Sequence, residues 1–166
     1  MLPVSLNPSR LRLGVLGDGP AAGRRRARLR EAGACPLAAG ADPSAWPGLD
    51  LLWIADLPDP EAASLAAAAR ARGILVNVED RPALCDFHNA AELRRGDLLV
   101  AVSTGGTSPG LAGAIRDRIA GLIGPEWADR LAALAARRAG WRAEGADLAQ
   151  LAARTRAALA DAGWLA

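Results

Sequence analysis

The chain has 166 residues, enough for one compact domain, or one domain with a helical appendage, built on a real core. Its hydrophobic share of 51% is inflated by alanine, and its net charge of +2 rests on arginine alone, since all 20 basic residues are Arg. Without lysine there is no Schiff-base or P-loop lysine; two cysteines exclude a disulfide framework or a thiolate metal site, and no apolar run reaches the ~18 residues of a membrane span.

Met1 to Arg12 has no signal-peptide pattern, so a cytoplasmic location is expected. Leu11–Leu16 reads as a first strand, followed by Gly17-Asp18-Gly19-Pro20-Ala21-Ala22 and a helix from Pro20 to Ala32 that stops at Gly33. Strand, G-x-G-x-x-A turn and helix form the context of a dinucleotide fingerprint. The first glycine makes the tight turn, the second admits a pyrophosphate, and Ala22 lets the helix pack closely on the strand. Gly17, Gly19, Pro20 and Ala21 are therefore cofactor-binding candidates. Arg24 and Arg25 read as a solvated helix face.

Cys35–Ala39 reads as a second strand, Gly40 to Gly48 as loop, and Leu51–Ala55 as the next strand. An acidic ribose ligand is expected about 20 residues after the glycine turn. Asp42 is the nearby candidate, and as a residue of a turn-rich loop it also reads as a cap. Ala55 and Asp56, at the end of the third strand, complete the cofactor-binding set. Asp59 is expected to cap a helix from Pro60 to Arg72 that stops at Gly73.

Ile74–Val78 and Leu98–Val102 are short apolar runs bounded by Gly, Asp and Pro, the pattern of buried strands. The first delivers Asn77, Glu79 and Asp80 at its C-terminal end; the second delivers Ser103, Thr104, Gly105 and Gly106. Ligands of open parallel sheets bind at such ends. Phe87–Arg94 reads as a strand or extended arm, joined to Leu98 through a hairpin-like Arg95-Gly96-Asp97. Ser108 is a good N-cap with Pro109 at the first helical position, so a helix Pro109–Leu122 follows an anion-friendly loop. His88, the single histidine, reads as a surface or hydrogen-bonded residue, with acid–base or metal work near Asp80 as the alternative. Beyond Gly124-Pro125 the tail is helical; Trp127, Leu131, Leu134 and Trp141 share a face broken at Gly140 and Gly145, and Leu148, Leu151, Thr155 and Leu159 form a second stripe.

The segment Asn77-Val78-Glu79-Asp80-Arg81-Pro82-Ala83-Leu84-Cys85-Asp86-Phe87, followed by Arg94 to Pro109 with its Ser103-Thr104-Gly105-Gly106-Thr107-Ser108 run, resembles the precorrin-2 dehydrogenase / sirohydrochlorin ferrochelatase family. That family forms the N-terminal module of siroheme synthase. The resemblance runs from about residue 10 to about residue 123. It implies an α/β fold: a Rossmann-like parallel sheet over 1–97, a dimerisation and active-site region over 98–124, and a helical C-terminal region over 125–166. The chain departs from the family in four places, one of them His88-Asn89, where hydrophobic residues and a Pro are usual. Asp18 stands where a third glycine is usual, and Ala55-Asp56-Leu57-Pro58-Asp59 replaces a stretch with Thr-Asp-Asp. The turn-rich loop before Leu51 has no room for a ~10-residue helix and a ~5-residue strand, so the sheet should be one strand and one helix short on the adenosine side.

The activity this resemblance implies is NAD-dependent oxidation of precorrin-2 to sirohydrochlorin, with Fe2+ as a further substrate in members that also insert the metal. Asp80 matches the family's essential aspartate, a proton acceptor for the tetrapyrrole and a guide for an incoming metal; read from the residues alone it also fits a helix cap before Pro82. Asn77, His88, Ser103, Thr104, Gly105, Gly106, Thr107 and Ser108 are its substrate-binding candidates, and no protein metal ligand is assigned. A carboxylate-rich tetrapyrrole gives the arginines a small-molecule partner without nucleic acid or membrane, and the family implies a homodimer. Two other readings stay open: an NAD-independent chelatase or tetrapyrrole-binding protein, and a non-catalytic dimeric scaffold.

Overall fold

A computed structural model describes residues 2–165; Met1 and Ala166, the outer ends of the first and last expected regions, lie outside the described residues. The chain forms two compact units, 1–89 and 90–166. The division falls ahead of residue 91 because the strand that starts there pairs with the strand after it and not with the parallel sheet.

The first unit contains β1 (Leu13–Leu16), α1 (Pro20–Glu31), β2 (Leu37–Ala39), β3 (Leu51–Ile54), α2 (Asp59–Arg70) and β4 (Leu75–Val78). The strands form one parallel sheet in the order β2-β1-β3-β4. The central strands are buried on both faces, which is why they read as continuous apolar runs without alternation. Only the three-residue β2 flanks β1 on the adenosine side, as the short loop requires. Two layers of core result. Leu52, Ile54, Val76 and Val78 pack with Ala62, Ala66 and Ala69 of α2; Val15, Leu51 and Trp53 pack with Ala21 and Ala22 of α1.

The loop that replaces the missing helix and strand still contributes to the core. Asp42 caps a 3-10 turn, Pro43–Ala45, which turns Trp46 and Leu49 inward beneath α2. Trp46 is 2% exposed and satisfies its indole N–H on the Gly40 carbonyl at 2.8 Å. Burying so large a side chain is worth about 1.5–3 kcal/mol.

One expected cap is corrected. Pro58 holds the N-cap position of α2, and Asp59 is its first helical residue. The Asp59 carboxylate is drawn away to the Arg81 guanidinium, a charged donor stronger than a helix amide.

The second unit opens with an antiparallel hairpin of β5 (Ala91–Arg95) and β6 (Leu98–Val102) around Gly96-Asp97. Gly96 has φ 56°, the left-handed conformation that a two-residue hairpin asks of its first central residue. The expected start at Phe87 is corrected to Ala91. Phe87 is withheld from the hairpin because its ring packs edge-on against Trp53 at 5.1 Å and its carbonyl accepts from Asn77. Three helices follow, α3 (Pro109–Ala120), α4 (Trp127–Ala143) and α5 (Leu148–Asp161). α3 packs on the hairpin and α4 on α5. The expected break at Gly140 does not occur; α4 runs through it and ends before Gly145, whose φ of 87° only glycine adopts freely. Asp147 and Gln150 then close a reciprocal capping box on α5.

Candidate functional site

The C-terminal edge of the parallel sheet gathers the chemistry of the first unit. β1 ends in the glycine turn, where Gly17 has φ 113° and Gly19 is the N-cap of α1 with Pro20 at its first position. β3 ends in Ala55 and Asp56, and β4 in Glu79 and Asp80. Among the described residues, Asp56 (φ 59°) and Asp80 (φ 58°) are the non-glycine residues with left-handed backbone. Aspartate tolerates that region better than most residues, and such outliers cluster where a fold spends conformational energy on a site.

The N-terminus of α1 already holds an anion from the chain itself. Asp56 accepts hydrogen bonds from the backbone N–H of Ala22 at 2.8 Å and of Ala21 at 3.3 Å. The glycines of the fingerprint accommodate this same loop. A Cβ on Gly17 would strike the Ala55 carbonyl, and one on Gly19 would lie 2.7 Å from Asp56 Oδ2. Asp18, the carboxylate that departs from the usual glycine, is fully solvent-exposed and 3.7 Å from Arg26. The anion that a diphosphate would meet is Asp56. With that exception the turn fits a dinucleotide: positive φ, no Cβ, and two amides aimed outward from a helix N-terminus.

Asp80 is exposed, in a turn braced from several sides. Arg81 donates to the Leu57 carbonyl at 2.8 Å and pairs with Asp59. The Cys85 sulfur accepts from Val78 N–H at 3.2 Å and lies 3.3 Å from the Arg81 carbonyl. Asp86 receives Arg70 Nε at 2.8 Å and Val76 N–H at 2.9 Å. Burial pushes the Cys85 thiol above its ordinary value, so it acts here as a neutral brace. Arg24 of α1 lies 3.8 Å from Glu79, a solvent-screened pair of small weight.

The remaining candidates of this unit are engaged internally. Asn77 is buried, donates to the Phe87 carbonyl at 2.9 Å and accepts from Asn89, which in turn accepts Trp53 Nε1 at 3.0 Å. Asp42 is occupied by the Ser44 hydroxyl and N–H, which together hold its carboxyl below the usual range. His88 is half-buried beside this network.

In the second unit, Ser103 to Ser108 link β6 to α3. Thr104 and Ser108 build the loop: Ser108 N–H donates to Thr104 Oγ1 at 3.0 Å, that hydroxyl donates to the Ser108 carbonyl at 2.9 Å, and Ser108 Oγ caps Leu111 N–H at 3.3 Å. Ser103 accepts from Gly105 N–H at 3.2 Å. Thr107 and the two glycines, with φ 66° and 87°, are exposed.

Sequence reasoning passed over Arg26 and Arg81. Arg26 is the helix residue that reaches the glycine turn, donating to the Gly17 carbonyl; Arg25 lies 5.9 Å from the Trp53 ring. No local pattern distinguishes these arginines from their neighbours on the helix.

A parallel sheet with a glycine turn feeding a helix defines a Rossmann-like protein. The family model described as putative NAD(P)-binding matches residues 40–91, and that described as sirohaem biosynthesis protein central matches residues 95–122. The first match begins after the glycine turn. Siroheme synthase of Thiobacillus denitrificans is 43% identical over 95 residues, 57% of this chain and 20% of the relative. That of Methylococcus capsulatus is 54% identical over 74 residues, 45% of this chain and 15% of the relative. SirC, a precorrin-2 dehydrogenase of solved structure, superposes with a TM-score of 0.75 at 16% identity, covering 100% of this chain and 93% of that one, which shows the shared fold. Over part of its length the chain is thus similar to siroheme synthases, and it shares the fold of a precorrin-2 dehydrogenase. Its matches span a fifth or less of the length of those synthases.

Proposed function

We propose that the chain oxidises precorrin-2 to sirohydrochlorin with NAD+ as hydride acceptor. The observation that carries the reading is Asp80, an exposed carboxylate on a braced left-handed turn at the C-terminal edge of the sheet, inside the stretch matched by the nucleotide-binding family model. The oxidation removes a hydride and a proton from the tetrapyrrole. NAD+, when bound, supplies the hydride acceptor, and the Asp80 carboxylate takes the proton. On the protein side, Gly17 and Gly19 give backbone access, Ala21 and Ala22 offer amides, and Ala55 walls the turn. Thr107, Gly105 and Gly106 offer donors to substrate carboxylates from the Ser103–Ser108 loop.

The same reading extends to a cytoplasmic homodimer. No helix among the described residues is long and apolar enough to cross a membrane. Leu111 and Ile115 lie one turn apart on α3, 53% and 40% exposed, an apolar face suited to a second copy in the 98–124 region. Fe2+ enters this proposal as a second substrate, inserted into sirohydrochlorin.

A second reading has a specific observation in its favour. With Asp56 on the α1 amides, an NAD-independent tetrapyrrole-binding protein or chelatase also fits. A spectrophotometric assay with enzymatically generated precorrin-2 separates the two. NAD+-dependent appearance of sirohydrochlorin, lost in Asp80→Asn, supports the dehydrogenase; tetrapyrrole binding without turnover supports the alternative.

A further inference from the structure

We propose that Asp56 is the resident anion of the α1 N-terminus, and that a dinucleotide seats its diphosphate there only by displacing this carboxylate. The inference rests on the dinucleotide reading above and adds a control residue to it.

A helix N-terminus presents a few unpaired amides and a partial positive charge, and it takes one anion at a time. Both amides that face outward from the glycine turn, those of Ala21 and Ala22, are bonded to the two oxygens of Asp56. The contact spans about 35 positions in sequence, so it is tertiary and not an ordinary cap. Gly19 itself provides no side-chain cap, which leaves Asp56 to serve that role. The absence of side chains at Gly17 and Gly19 is already explained by the close passage of Ala55 and Asp56. Every feature that would cradle a diphosphate is thus filled by the β3–α2 loop.

The arrangement is built to be reversible. Asp56 is exposed despite its two bonds, so water can take over the displaced carboxylate. Asp18, the other acidic residue of the turn, points to solvent and does not compete. A diphosphate entering the turn must therefore offset the loss of the Asp56 contacts and the repulsion of a nearby carboxylate. Removing the charge should tighten dinucleotide binding by about two- to thirtyfold, the range of one charge at a helix N-terminus.

The test measures NADH affinity by calorimetry and fluorescence for wild type, Asp56→Gly, Asp56→Asn and Asp18→Asn. Glycine and asparagine both accept φ 59°, so neither variant strains the turn. Tighter binding in both Asp56 variants, with Asp18→Asn close to wild type, supports the inference. Equal affinity in wild type and the Asp56 variants, with NAD+-dependent precorrin-2 oxidation intact, overturns it and leaves the dehydrogenase reading standing. No NADH binding by any of the four proteins overturns both.

Discussion

Asp56 and Asp80 occupy equivalent places on adjacent parallel strands. Each lies two residues past the register pair Ile54–Val78, and each takes a left-handed backbone, at φ 59° and 58°. Both residues are exposed, but only the Asp56 carboxylate turns onto the α1 amides. The residues after them are tied together, because Arg81 donates to the Leu57 carbonyl at 2.8 Å. A shift of the Asp56 loop is therefore transmitted to the turn that carries Asp80.

Arg81→Ala should expose that coupling. It removes a charged hydrogen bond to Leu57 and the pairing with Asp59, whose carboxylate is largely exposed. The Leu57 bond dominates, and the loss should be about 1–2 kcal/mol. Asp59→Ala, which keeps that bond, should cost less than about 1 kcal/mol. Urea unfolding of the two variants gives the comparison, and precorrin-2 turnover should fall more in Arg81→Ala. Equal behaviour of the two would mean the Leu57 contact does not support the turn.

Asn77→Ala distinguishes a structural from a substrate-binding asparagine. The side chain is 7% exposed and bridges Phe87 to Asn89, which holds the Trp53 indole. Its removal leaves buried polar groups unpaired, at about 2 kcal/mol. The variant should unfold at lower urea with an unchanged KM for precorrin-2. A raised KM at unchanged stability would restore Asn77 to the substrate site.

The fold was legible because the buried parallel strands and their helices carry unmixed signals: Leu51–Ile54 is apolar throughout, and Pro20 and Pro109 stand at the starts of α1 and α3. The shortened adenosine side followed from counting residues in the 40–48 loop. What escaped was long-range pairing. Nothing local to Asp59 shows that Arg81 will claim it, and nothing in Ala55-Asp56-Leu57 shows that Asp56 will close on α1. Phe87 is β-prone by composition, yet Trp53 and Asn77 fix it outside the hairpin. Gly140 is a breaker in isolation, and the packing of α4 on α5 overrides it.

The two thiols should differ in reactivity. Cys35 is exposed, whereas Cys85 is partly buried and hydrogen-bonded to the β4 end. Burial raises the Cys85 pKa, so less thiolate is present and Cys35 should be alkylated first by iodoacetamide, as read by mass spectrometry. The linkage sign follows. The folded state holds this proton more tightly than the unfolded chain, so its stabilising contribution is present below the ordinary thiol pKa and is lost as pH rises through the raised one. Asp42 behaves oppositely: its lowered pKa adds stability above the ordinary carboxylate range, lost as pH falls through the lowered value. Cys85→Ser should flatten the alkaline limb of the stability profile and leave the acid limb unchanged.

Two glycine-to-alanine changes should act in opposite directions. Gly140 lies inside α4 with nothing within 4 Å of an added methyl, so alanine there gains helix propensity at no steric cost. The gain should be about 0.8–1 kcal/mol, seen as a higher urea midpoint. Gly17 has φ 113°, and its new Cβ would meet the Ala55 carbonyl, which is backbone and cannot swing aside. Left-handed strain alone costs about 1–2 kcal/mol, and the collision adds to it. Because Ala55 carries Asp56, Gly17→Ala should also push the carboxylate off the α1 amides. Amide resonances of Ala21 and Ala22 should then shift toward those of Asp56→Gly, and an unchanged spectrum would show that the glycine turn and the Asp56 loop move independently.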